Sequence, residues 1–595
     1  MGERSPLGDR IEQACREGEG KRLPGRALVA CQGTEGAYAQ QACEKLFRNP
    51  GMMYVQDFEH VFTAIEKGLC EYGVLPIENS TAGSVKQVYD AMIAHDFHIV
   101  RSVRLAIRHN LLALPCVKLS DIREVVSHEQ ALRQCDGFLQ SLGVNGIWLT
   151  PFFSGASYHK YDVLDYQSVD PSLGTLEDFD ALAGEYHARG MRVMLDLVIN
   201  HTSNEHPWFR SAAKSLTVEP CADGSCAGGV PCRAHNPYVN YYHFKPMERA
   251  AKDWQTLGNG WGYECVFGGH MPDLALENED VRREIENAVD FWFAHGADDF
   301  RLDAVIHYTG SASGNAEALR WITDFIHSRR ADAFVVAEAW TSAVQFPAYW
   351  ESGVDALFNF PFAGPEGRTA KTLIGRGRAN SASAYGNALI SWQATLAENG
   401  AQDAPFGSNH DIGRIAGFMR KDEAKIKLYA CLNLTMTGTA FVYYGEELGM
   451  SGAGRDENKR APMYWSEDAS AAGMTKGPAD MEPQKHAFGA LETQEADADS
   501  IYAFYRRLLA LRAAHPAISE GTAELIDLGD EIDACVLRKT CADETVYLVY
   551  NLSADREIRV TLPEAVTQTD FLSAKRDSAQ PQNESTAVTV IDARS

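Results

Sequence analysis

The feature that most constrains the fold is a repeated alternation in the chain from Val144 onward. Seven short apolar runs each end in polar residues, and stretches with helical periodicity separate them. Such a series is typical of parallel strands buried between helices, and it predicts a (β/α) barrel with catalytic groups at the carboxyl ends of the strands. The runs are VNGIWLTP, RVMLDLVIN, DDFRLDAV, FVVAEAW, ALFNFPF, APFGSNHD and TAFVYYGEE.

An eight-stranded barrel needs one strand more than the chain offers. The missing strand is the first, which should precede VNGIWLTP. We therefore predict a (β/α)8-type barrel with an open slot between GIWLTP and AFVYYGEE, because only a complete ring of strands has no sheet edge. The alternative is that HIVRSVRLAI, an apolar run of the N-terminal part, fills this slot.

Three carboxylates stand where the predicted strands end. Asp303 closes DDFRLD, Glu338 closes FVVAE, and Asp411 lies in SNHD. Hydrolysis of a glycosidic bond with retention uses two carboxyls about 5–5.5 Å apart, one attacking the anomeric carbon and one protonating the leaving oxygen. Arg301 lies two residues before Asp303 on the same strand face, where its charge favours the ionised carboxylate. The apolar run before Glu338 is expected to raise the pKa of that carboxyl, as an acid catalyst requires.

Eight short motifs follow one another in this part of the chain, namely GIWLTP, DLVINH, MPDL, FRLDAVIH, AEAW, SNHDIGR, YYGEELGM and RAPMYW. Through them, the stretch from Val144 to the C-terminus resembles the α-amylase family of glycoside hydrolases. The resemblance implies Asp303 as nucleophile, Glu338 as acid/base and Asp411 as stabiliser of the transition state. It also implies that Tyr161 stacks on the sugar and that His201 and His410 bind its hydroxyls. Arg301 would hold the nucleophile, and Asp196 would brace the site. Arg414 of SNHDIGR is a further substrate-binding residue by the same resemblance.

Two residues bear on the substrate that the resemblance implies. Ala304 follows the nucleophile position, as in members similar to α-1,4-acting amylases, and Tyr158 stands where exo-acting relatives often carry Asp. Both favour internal cleavage of α-1,4 bonds in maltodextrin or starch. One departure from the family pattern is Asp299, which stands where relatives usually carry Gly. No Asp- and Gly-rich loop of the calcium-binding kind precedes Val144, so no cofactor is expected.

A long insertion follows the second of the seven runs, at residues 202–266, and it fits the small extra domain of the family. It contains Cys221, Cys226, Cys232 and Cys265. Because zinc sites favour closely spaced cysteine pairs, we interpret these residues as reduced, unliganded thiols and assign no metal ligands. A metal site in the insertion is the alternative.

The N-terminal part, residues 27–142, has a different α/β pattern. ALVACQG predicts a strand and AYAQQACEKLF a helix, while YGVLPIENS and FHIVRSVRLAI are strand-like and HEQALRQCDGFLQSL is helical. CQGTEGAYAQQA, YGVLPIENSTAGSV and SHEQALRQC resemble prephenate dehydratase, which implies a truncated piece of a two-lobe, periplasmic-binding-protein-like α/β fold. The resemblance places Glu78, Asn79 and Ser80 in the substrate cleft. The Thr-Arg-Phe signature of that family does not occur in the chain.

These patterns divide the chain into a tail (1–26), the dehydratase-like fragment (27–142), the barrel (143–519) and a C-terminal β-sandwich (520–595). ACVLRK, TVYLVYNL and IRVTLP are the predicted strands of the sandwich. The net charge of −26 argues against binding to nucleic acid or an anionic membrane and is compatible with a neutral sugar polymer. The first thirty residues lack the apolar core of a signal peptide, and thirteen cysteines suit a reducing compartment, so a cytoplasmic location is expected. The sequence does not predict an oligomeric state.

Three hypotheses for the function follow. The chain is an α-glucan hydrolase with a vestigial N-terminal segment, a prephenate dehydratase with an inert barrel, or an inactive chimera. The complete set of three carboxylates favours the first, the missing Thr-Arg-Phe argues against the second, and the missing strand supports the third.

Overall fold

The structure is a computed structural model, which separates into two compact units, Met1–Ser141 and Leu142–Ser595. In the second unit it describes residues 142–574 and 587–592, except 223, 227–228, 472, 543, 554–555 and 565–567. In the first unit it describes residues 24, 26–32, 38–55, 58–76, 78–79, 83–84, 88, 91, 95 and 99–101. Among all of these residues, no helix is both long enough and apolar enough to cross a membrane.

The N-terminal unit contains a three-stranded parallel sheet. Arg26–Gln32 is its central strand, with Asn49–Val55 on one side and Tyr72–Val74 on the other. Helices Tyr38–Leu46 and Phe58–Glu66 pack apolar side chains against this sheet. The strand predicted at ALVACQG and the helix predicted at AYAQQACEKLF are therefore confirmed.

One strand of this sheet, Asn49–Val55, was not predicted. Its sequence NPGMMYV begins with residues that disfavour a strand interior, but Pro50 lies at the second position of an edge strand, where a missing N–H is tolerated. Further along, Glu78–Asn79 pairs with Gly83–Ser84 in a short antiparallel ladder. Ser80, HEQALRQCDGFLQS and most of HIVRSVRLAI lie outside the described residues.

The second unit is built on a six-stranded, entirely parallel sheet whose spatial order follows the chain. It is a curled sheet of the (β/α)-barrel type, and six of the seven predicted runs contribute to it. Its strands are Gly146–Leu149, Arg192–Leu197, Asp299–Leu302, Val335–Ala337, Ala356–Phe358 and Gln402–Ala404. The last strand ends at the start of APFGSNHD, so the remainder of that run is a loop. The seventh run contributes a single parallel bridge, between Phe406 and Phe441.

Aromatic side chains fill the interior between the two ends of this sheet. The ring of Trp148 lies 5.4 Å from that of Phe358 and 6.1 Å from that of Phe441. Among the described residues, Gly146–Leu149 pairs only with Arg192–Leu197. Most of HIVRSVRLAI lies outside the described residues, and both the open slot and its alternative stay predictions.

Helices connect the strands, and side-chain caps define the start of several of them. Thr175 and Asp178 form a reciprocal capping box, and Asn278, Ser381, Asp422 and Ser500 cap later helices. The helix predicted at IYAFYRRLLALR is confirmed as Ile501–Ala514. The α-helices are Leu176–Ala188, Glu279–Ala294, Ala312–Arg329, Phe346–Trp350, Arg368–Ile374, Ala382–Glu398, Ile415–Phe418, Glu423–Leu434, Asp456–Lys459, Leu491–Glu495, Ile501–Ala514 and Pro516–Ser519, with short 3-10 turns at Val305–His307, Ala343–Gln345 and Arg378–Asn380.

Two antiparallel additions extend from the barrel. A hairpin pairs Phe153–Gly155 with Val163–Val169. The insertion after Arg192–Leu197 consists of an α-helix, a 3-10 turn and a three-stranded antiparallel sheet. Its elements are Pro207–Ser215, Pro237–Tyr241, Phe244–Pro246, Trp254–Thr256 and Trp261–Glu264. Bridges from His201 to Asp273 and from Tyr242 to Leu274 join it to the barrel.

The C-terminal part contains a five-stranded antiparallel sheet. In spatial order its strands are Thr522–Leu525, Ala534–Cys541, Glu544–Asn551, Ala587–Asp592 and Gln568–Ser573. The strand predicted at IRVTLP is wrong, because these six residues, all described, join no ladder with any other described residue. Their alternating apolar character comes from Val560 and Leu562, which pack on the core residues Val536 and Tyr547. The β-sandwich stays a prediction.

A buried lysine connects this sheet to the barrel, and a buried arginine joins two helices within the barrel. The side-chain nitrogen of Lys539 is fully buried and donates to the carbonyls of Thr435 and Ile518. Arg512 donates to the carbonyls of Leu434 and Met436, both at 2.7 Å. These donors satisfy carbonyls that a helix leaves without partners at its C-terminal end.

Candidate active site

A single buried arginine joins three carboxylates at the centre of the sheet. The terminal nitrogen Nη1 of Arg301 donates to Asp196 Oδ1 at 2.7 Å and to Asp303 Oδ1 at 2.5 Å. Its other terminal nitrogen, Nη2, donates to Glu338 Oε2 at 2.7 Å. Because both nitrogens belong to one planar guanidinium, Asp303 and Glu338 are held side by side. The sequence prediction that Arg301 contacts Asp303 is confirmed.

The backbone brings the two carboxylates together because their strands are neighbours in register. Leu302 pairs with Ala337, and the N–H of Glu338 donates to the carbonyl of Leu302 at 2.9 Å. Ala304 adopts a left-handed conformation with φ of 48° directly after Asp303. Its N–H points at Glu338 Oε2, 3.3 Å away. This sharp turn follows the end of the strand at Leu302, and it supplies a second donor to the Glu338 carboxylate.

Burial raises the pKa of both carboxyl groups. Each is only 6 % exposed. Loss of solvent raises the pKa of Asp303 to about 6, with Arg301 opposing the shift. Burial also raises the pKa of Glu338 to about 7, again against the field of Arg301 and with repulsion from Asp303 adding to it. At neutral pH the pair therefore holds one ionised carboxylate beside one that still binds a proton part of the time.

Asp411 is held in a different environment at the same site. Its Oδ2 lies 3.0 Å from His410 Nε2, and its Oδ1 accepts a bond of 3.0 Å from Arg460. Lys459 donates to its backbone carbonyl at 2.8 Å. Although burial opposes the shift, the adjacent His410 and Arg460 lower the pKa of Asp411, so this carboxylate stays ionised where Glu338 does not.

Tyr161 links the two halves of the site. Its hydroxyl donates to Asp196 Oδ2 at 3.0 Å and lies 2.6 Å from His410 Nε2. Its half-buried ring stacks on the His410 ring at a centroid distance of 5.2 Å. Asp196 thus binds both Arg301 and Tyr161, and the bracing role that the resemblance implies for it stays a prediction.

His201 is a buried histidine in the segment that follows the strand Arg192–Leu197. Burial lowers its pKa to about 3, so its ring is neutral at physiological pH. Its Nδ1 lies 3.3 Å from the Asn200 amide nitrogen, and its Nε2 has no hydrogen-bond partner among the described residues. Because Nε2 of the neutral His201 ring has no partner among the described residues, it can form a hydrogen bond with a polar group of a ligand.

Arg414 and Arg460 differ from what the sequence suggested. Arg414 is fully buried and donates to the backbone carbonyls of Lys459 and Tyr444 at 3.0 and 2.5 Å. It therefore holds the loop that carries Arg460 and contacts no carboxylate of the site in the described hydrogen bonds. Arg460, which binds Asp411, was not singled out, although it is the first residue of the RAPMYW motif.

Asp299, the departure from the family pattern, has a local explanation. Its carboxylate accepts bonds of 2.8 and 2.6 Å from Arg192 and one of 2.7 Å from the backbone N–H of Phe334. It stands at the start of the strand, away from Asp303. Of the residues assigned to the dehydratase cleft, Glu78 and Asn79 lie in their two-residue strand, and Ser80 lies outside the described residues.

A curled parallel sheet that carries paired, buried carboxylates at its strand ends defines a (β/α)-barrel glycoside hydrolase. The family model for the α-amylase catalytic domain matches residues 136–521, and the chain belongs to the α-amylase family, glycoside hydrolase family 13. The family model for prephenate dehydratase matches residues 29–158. Both resemblances inferred from the motifs are thereby confirmed, and membership supports a retaining α-glycoside hydrolase.

Similar proteins cover about 70 % of this chain or more. Alpha-amylase 3 of Dictyoglomus thermophilum is 32 % identical over 425 residues, covering 70 % of this chain and 79 % of the relative. Probable oligo-1,6-glucosidase 3 of Bacillus subtilis is 26 % identical over 505 residues, covering 71 % and 86 %. Among solved structures, Amy13B of Eubacterium rectale superposes with a TM-score of 0.70 at 36 % identity, covering 78 % of this chain and 90 % of that one.

Proposed function

We propose that this protein hydrolyses α-1,4-glucosidic bonds in maltodextrin- or starch-like substrates with retention of configuration. The observation that carries the proposal is the Arg301 guanidinium, which holds Asp303 and Glu338 side by side in a buried pocket. Two similar proteins are named α-amylases, one from D. thermophilum and one from H. orenii, and others are named 1,6-glucosidases. Ala304 after Asp303 and the exposed Tyr158 beside Arg460 favour the α-1,4 bond and internal cleavage.

In the first step, an oxygen of the ionised Asp303 attacks the anomeric carbon while Glu338 gives its proton to the leaving glycosidic oxygen. The glycosidic bond breaks, and a glycosyl ester on Asp303 forms. Arg301 orients Asp303 for the attack, and burial keeps the proton on Glu338 near neutral pH. In the second step, Glu338 takes a proton from water, whose oxygen attacks the anomeric carbon and releases Asp303.

In the transition state of each step, positive charge develops on the sugar ring. Asp411, kept ionised by His410 and Arg460, lies beside the site and stabilises that charge. The free Nε2 of His201 is suited to a sugar hydroxyl, and the ring of Tyr161 to the apolar face of the sugar. Trp340, two residues after Glu338 and 51 % exposed, offers a further aromatic surface for a neighbouring glucose unit.

The linkage preference is tested with two oligosaccharides. We expect the purified full chain to cleave maltoheptaose faster than isomaltoheptaose, with shorter maltooligosaccharides rather than glucose alone as the early products. Proton NMR during turnover should show the α-anomer forming first, because a double displacement preserves configuration. Faster cleavage of the α-1,6 substrate would contradict the linkage proposal, and initial formation of the β-anomer would contradict retention.

The dependence of rate on pH should follow the two raised carboxyl pKa values. The reaction needs Asp303 ionised and Glu338 protonated. We expect kcat/KM for maltoheptaose to fall below about pH 6, as Asp303 binds a proton, and above about pH 7, as Glu338 loses its own. Rates measured across this range in buffers of constant ionic strength check this expectation. A profile flat from pH 5 to pH 9 would contradict the assignment of the pair.

The second hypothesis, prephenate dehydratase activity, is not proposed. Residues 29–158 match that family, but the Thr-Arg-Phe signature occurs nowhere in the chain. An inactive chimera stays the alternative to a hydrolase, and turnover of maltoheptaose distinguishes the two. A cytoplasmic location likewise stays a prediction.

A further inference from the structure

A cluster of sulfur and nitrogen ligands lies in the insertion, outside the candidate active site. The sulfurs of Cys221, Cys226 and Cys232 and the Nδ1 of His235 all lie within 4.8 Å of one another. Four, five and two residues separate them along the chain. The interpretation of the cysteines as unliganded thiols did not include His235 and grouped them with Cys265, which does not belong to the cluster.

Four of the distances among these atoms agree to about 0.2 Å with a tetrahedron around zinc, and a fifth, between Cys232 Sγ and His235 Nδ1, is shorter. With Zn–S of about 2.3 Å and Zn–N of about 2.0–2.1 Å, ideal tetrahedral ligands stand about 3.8 Å apart for two sulfurs and about 3.6 Å apart for sulfur and nitrogen. Cys221 Sγ lies 3.7 Å from Cys226 Sγ and 3.8 Å from Cys232 Sγ. His235 Nδ1 lies 3.4, 3.7 and 3.1 Å from the three sulfurs in chain order. A disulfide requires sulfurs about 2.05 Å apart, so none of these pairs is bonded.

The surrounding backbone supports this arrangement. The N–H of Cys232 points at Cys226 Sγ, 3.2 Å away, a contact that stabilises charge on a thiolate. The N–H of His235 donates to the carbonyl of Cys232 at 2.9 Å, and this turn brings the ring of His235 to the sulfur of Cys232. Hydrogen bonds within the loop do not by themselves explain why three sulfurs and a ring nitrogen converge on one point, whereas a bound metal ion does.

We propose that Cys221, Cys226, Cys232 and His235 bind one structural zinc ion. Four protein ligands fill a tetrahedral site, so no coordination position is left for a substrate or water. Three thiolates and a neutral imidazole are soft ligands that select zinc over calcium or magnesium.

The ion would fix the loop that joins the helix Pro207–Ser215 to the 3-10 turn Pro237–Tyr241. Asn236, directly after the last ligand, donates to Ser215 Oγ at 2.8 Å, and the carbonyl of Tyr241 accepts from Ala275. Ala275 belongs to the same segment as Asp273, which forms a backbone bridge with His201. The zinc site thus stabilises the part of the insertion that borders the strand end of His201.

The test begins with the wild-type full chain, expressed in zinc-supplemented medium and purified under reducing conditions without chelator. Elemental analysis should give about one zinc ion per chain. Replacement by cobalt should produce the thiolate charge-transfer band and the d–d bands of a tetrahedral cobalt centre. This measurement needs no variant and stays valid if substitutions prevent folding. Less than about a tenth of an equivalent of zinc, or an octahedral cobalt spectrum, would overturn the proposal.

Variants then locate the site. Cys226→Ser and His235→Ala should lose bound zinc on dialysis, from about one ion to less than about a tenth per chain. Cys265→Ala is the matched control, since Cys265 is a buried cysteine of the same insertion outside the cluster, and it should retain the full equivalent. Retention of zinc by Cys226→Ser and His235→Ala, or loss in Cys265→Ala alone, would place the ion elsewhere. A disulfide between Cys221 and Cys226 in the freshly purified protein would also contradict the proposal.

Discussion

Asp303→Asn should lower kcat/KM for maltoheptaose by about 10⁴-fold or more, because an amide cannot form the glycosyl ester. The substitution keeps the shape of the side chain, so the loss should appear in kcat while the protein remains folded. A fluorosugar that traps the intermediate should add its mass to the wild type and not to the variant. In the separate variant Asp303→Gly, which removes the side chain, azide should restore turnover of an activated aryl α-glucoside by attacking from the vacated face, giving the β-glycosyl azide.

The matched control is Asp299→Asn. Asp299 is buried on the same strand but binds Arg192 and the Phe334 N–H, away from the site. We expect this variant to lose thermal stability and to keep a rate close to that of the wild type. Substantial hydrolysis by Asp303→Asn, or an equal loss of rate in both variants, would remove Asp303 from the nucleophile role.

Glu338→Gln should lower kcat/KM for maltoheptaose by about 10²–10⁴-fold, because the leaving sugar oxygen then receives no proton. A 2,4-dinitrophenyl α-glucoside should be affected far less in the first step, since its leaving group departs without protonation. The alkaline limb of the pH profile should disappear with the carboxyl that causes it. Rates on both substrates across the pH range measure these effects.

Azide distinguishes Glu338 from Asp303 by the product it forms. In Glu338→Gln it should attack the glycosyl ester on Asp303 and give the α-glycosyl azide, the opposite anomer from that of Asp303→Gly. If the two leaving groups were affected equally, or if the β-azide formed, Glu338 would not be the acid/base residue.

The sequence predicted the fold best where pattern and burial agree. The runs RVMLDLVIN, DDFRLDAV and FVVAEAW are apolar because both faces of their strands are covered, and all three are strands of the parallel sheet. IRVTLP shows the opposite case, because apolar alternation there reflects side-chain packing on a sheet without backbone pairing. The strand Asn49–Val55 was missed since local propensity argued against it and only its edge position permits it.

For the candidate site, motif and strand-end position identified the carboxylates, while contacts between distant loops were not accessible to the same reasoning. Arg460 reaches Asp411 from 49 positions further along the chain, and nothing local to it indicates that contact. His235 was not predicted because the spacing among the cysteines does not by itself indicate a zinc site, whereas the cluster is complete only with this histidine. Arg414, expected at the substrate, is used instead to hold the Arg460 loop through backbone carbonyls.

The pocket contains more carboxylates than guanidiniums, and this affects whether it binds neutral or positively charged sugar-like ligands more tightly. Four carboxylates, those of Asp196, Asp303, Glu338 and Asp411, face the two guanidiniums of Arg301 and Arg460. His410 and Lys459 also lie beside Asp411, but the carboxylates of Asp303 and Glu338 share the single guanidinium of Arg301, so a positive charge that develops on the sugar ring beside them is stabilised. An iminosugar, in which a protonated ring nitrogen replaces the ring oxygen, already carries such a positive charge. Iminosugars should therefore bind more tightly than a neutral sugar of the same shape, and the ratio of the two affinities should increase as Glu338 loses its proton.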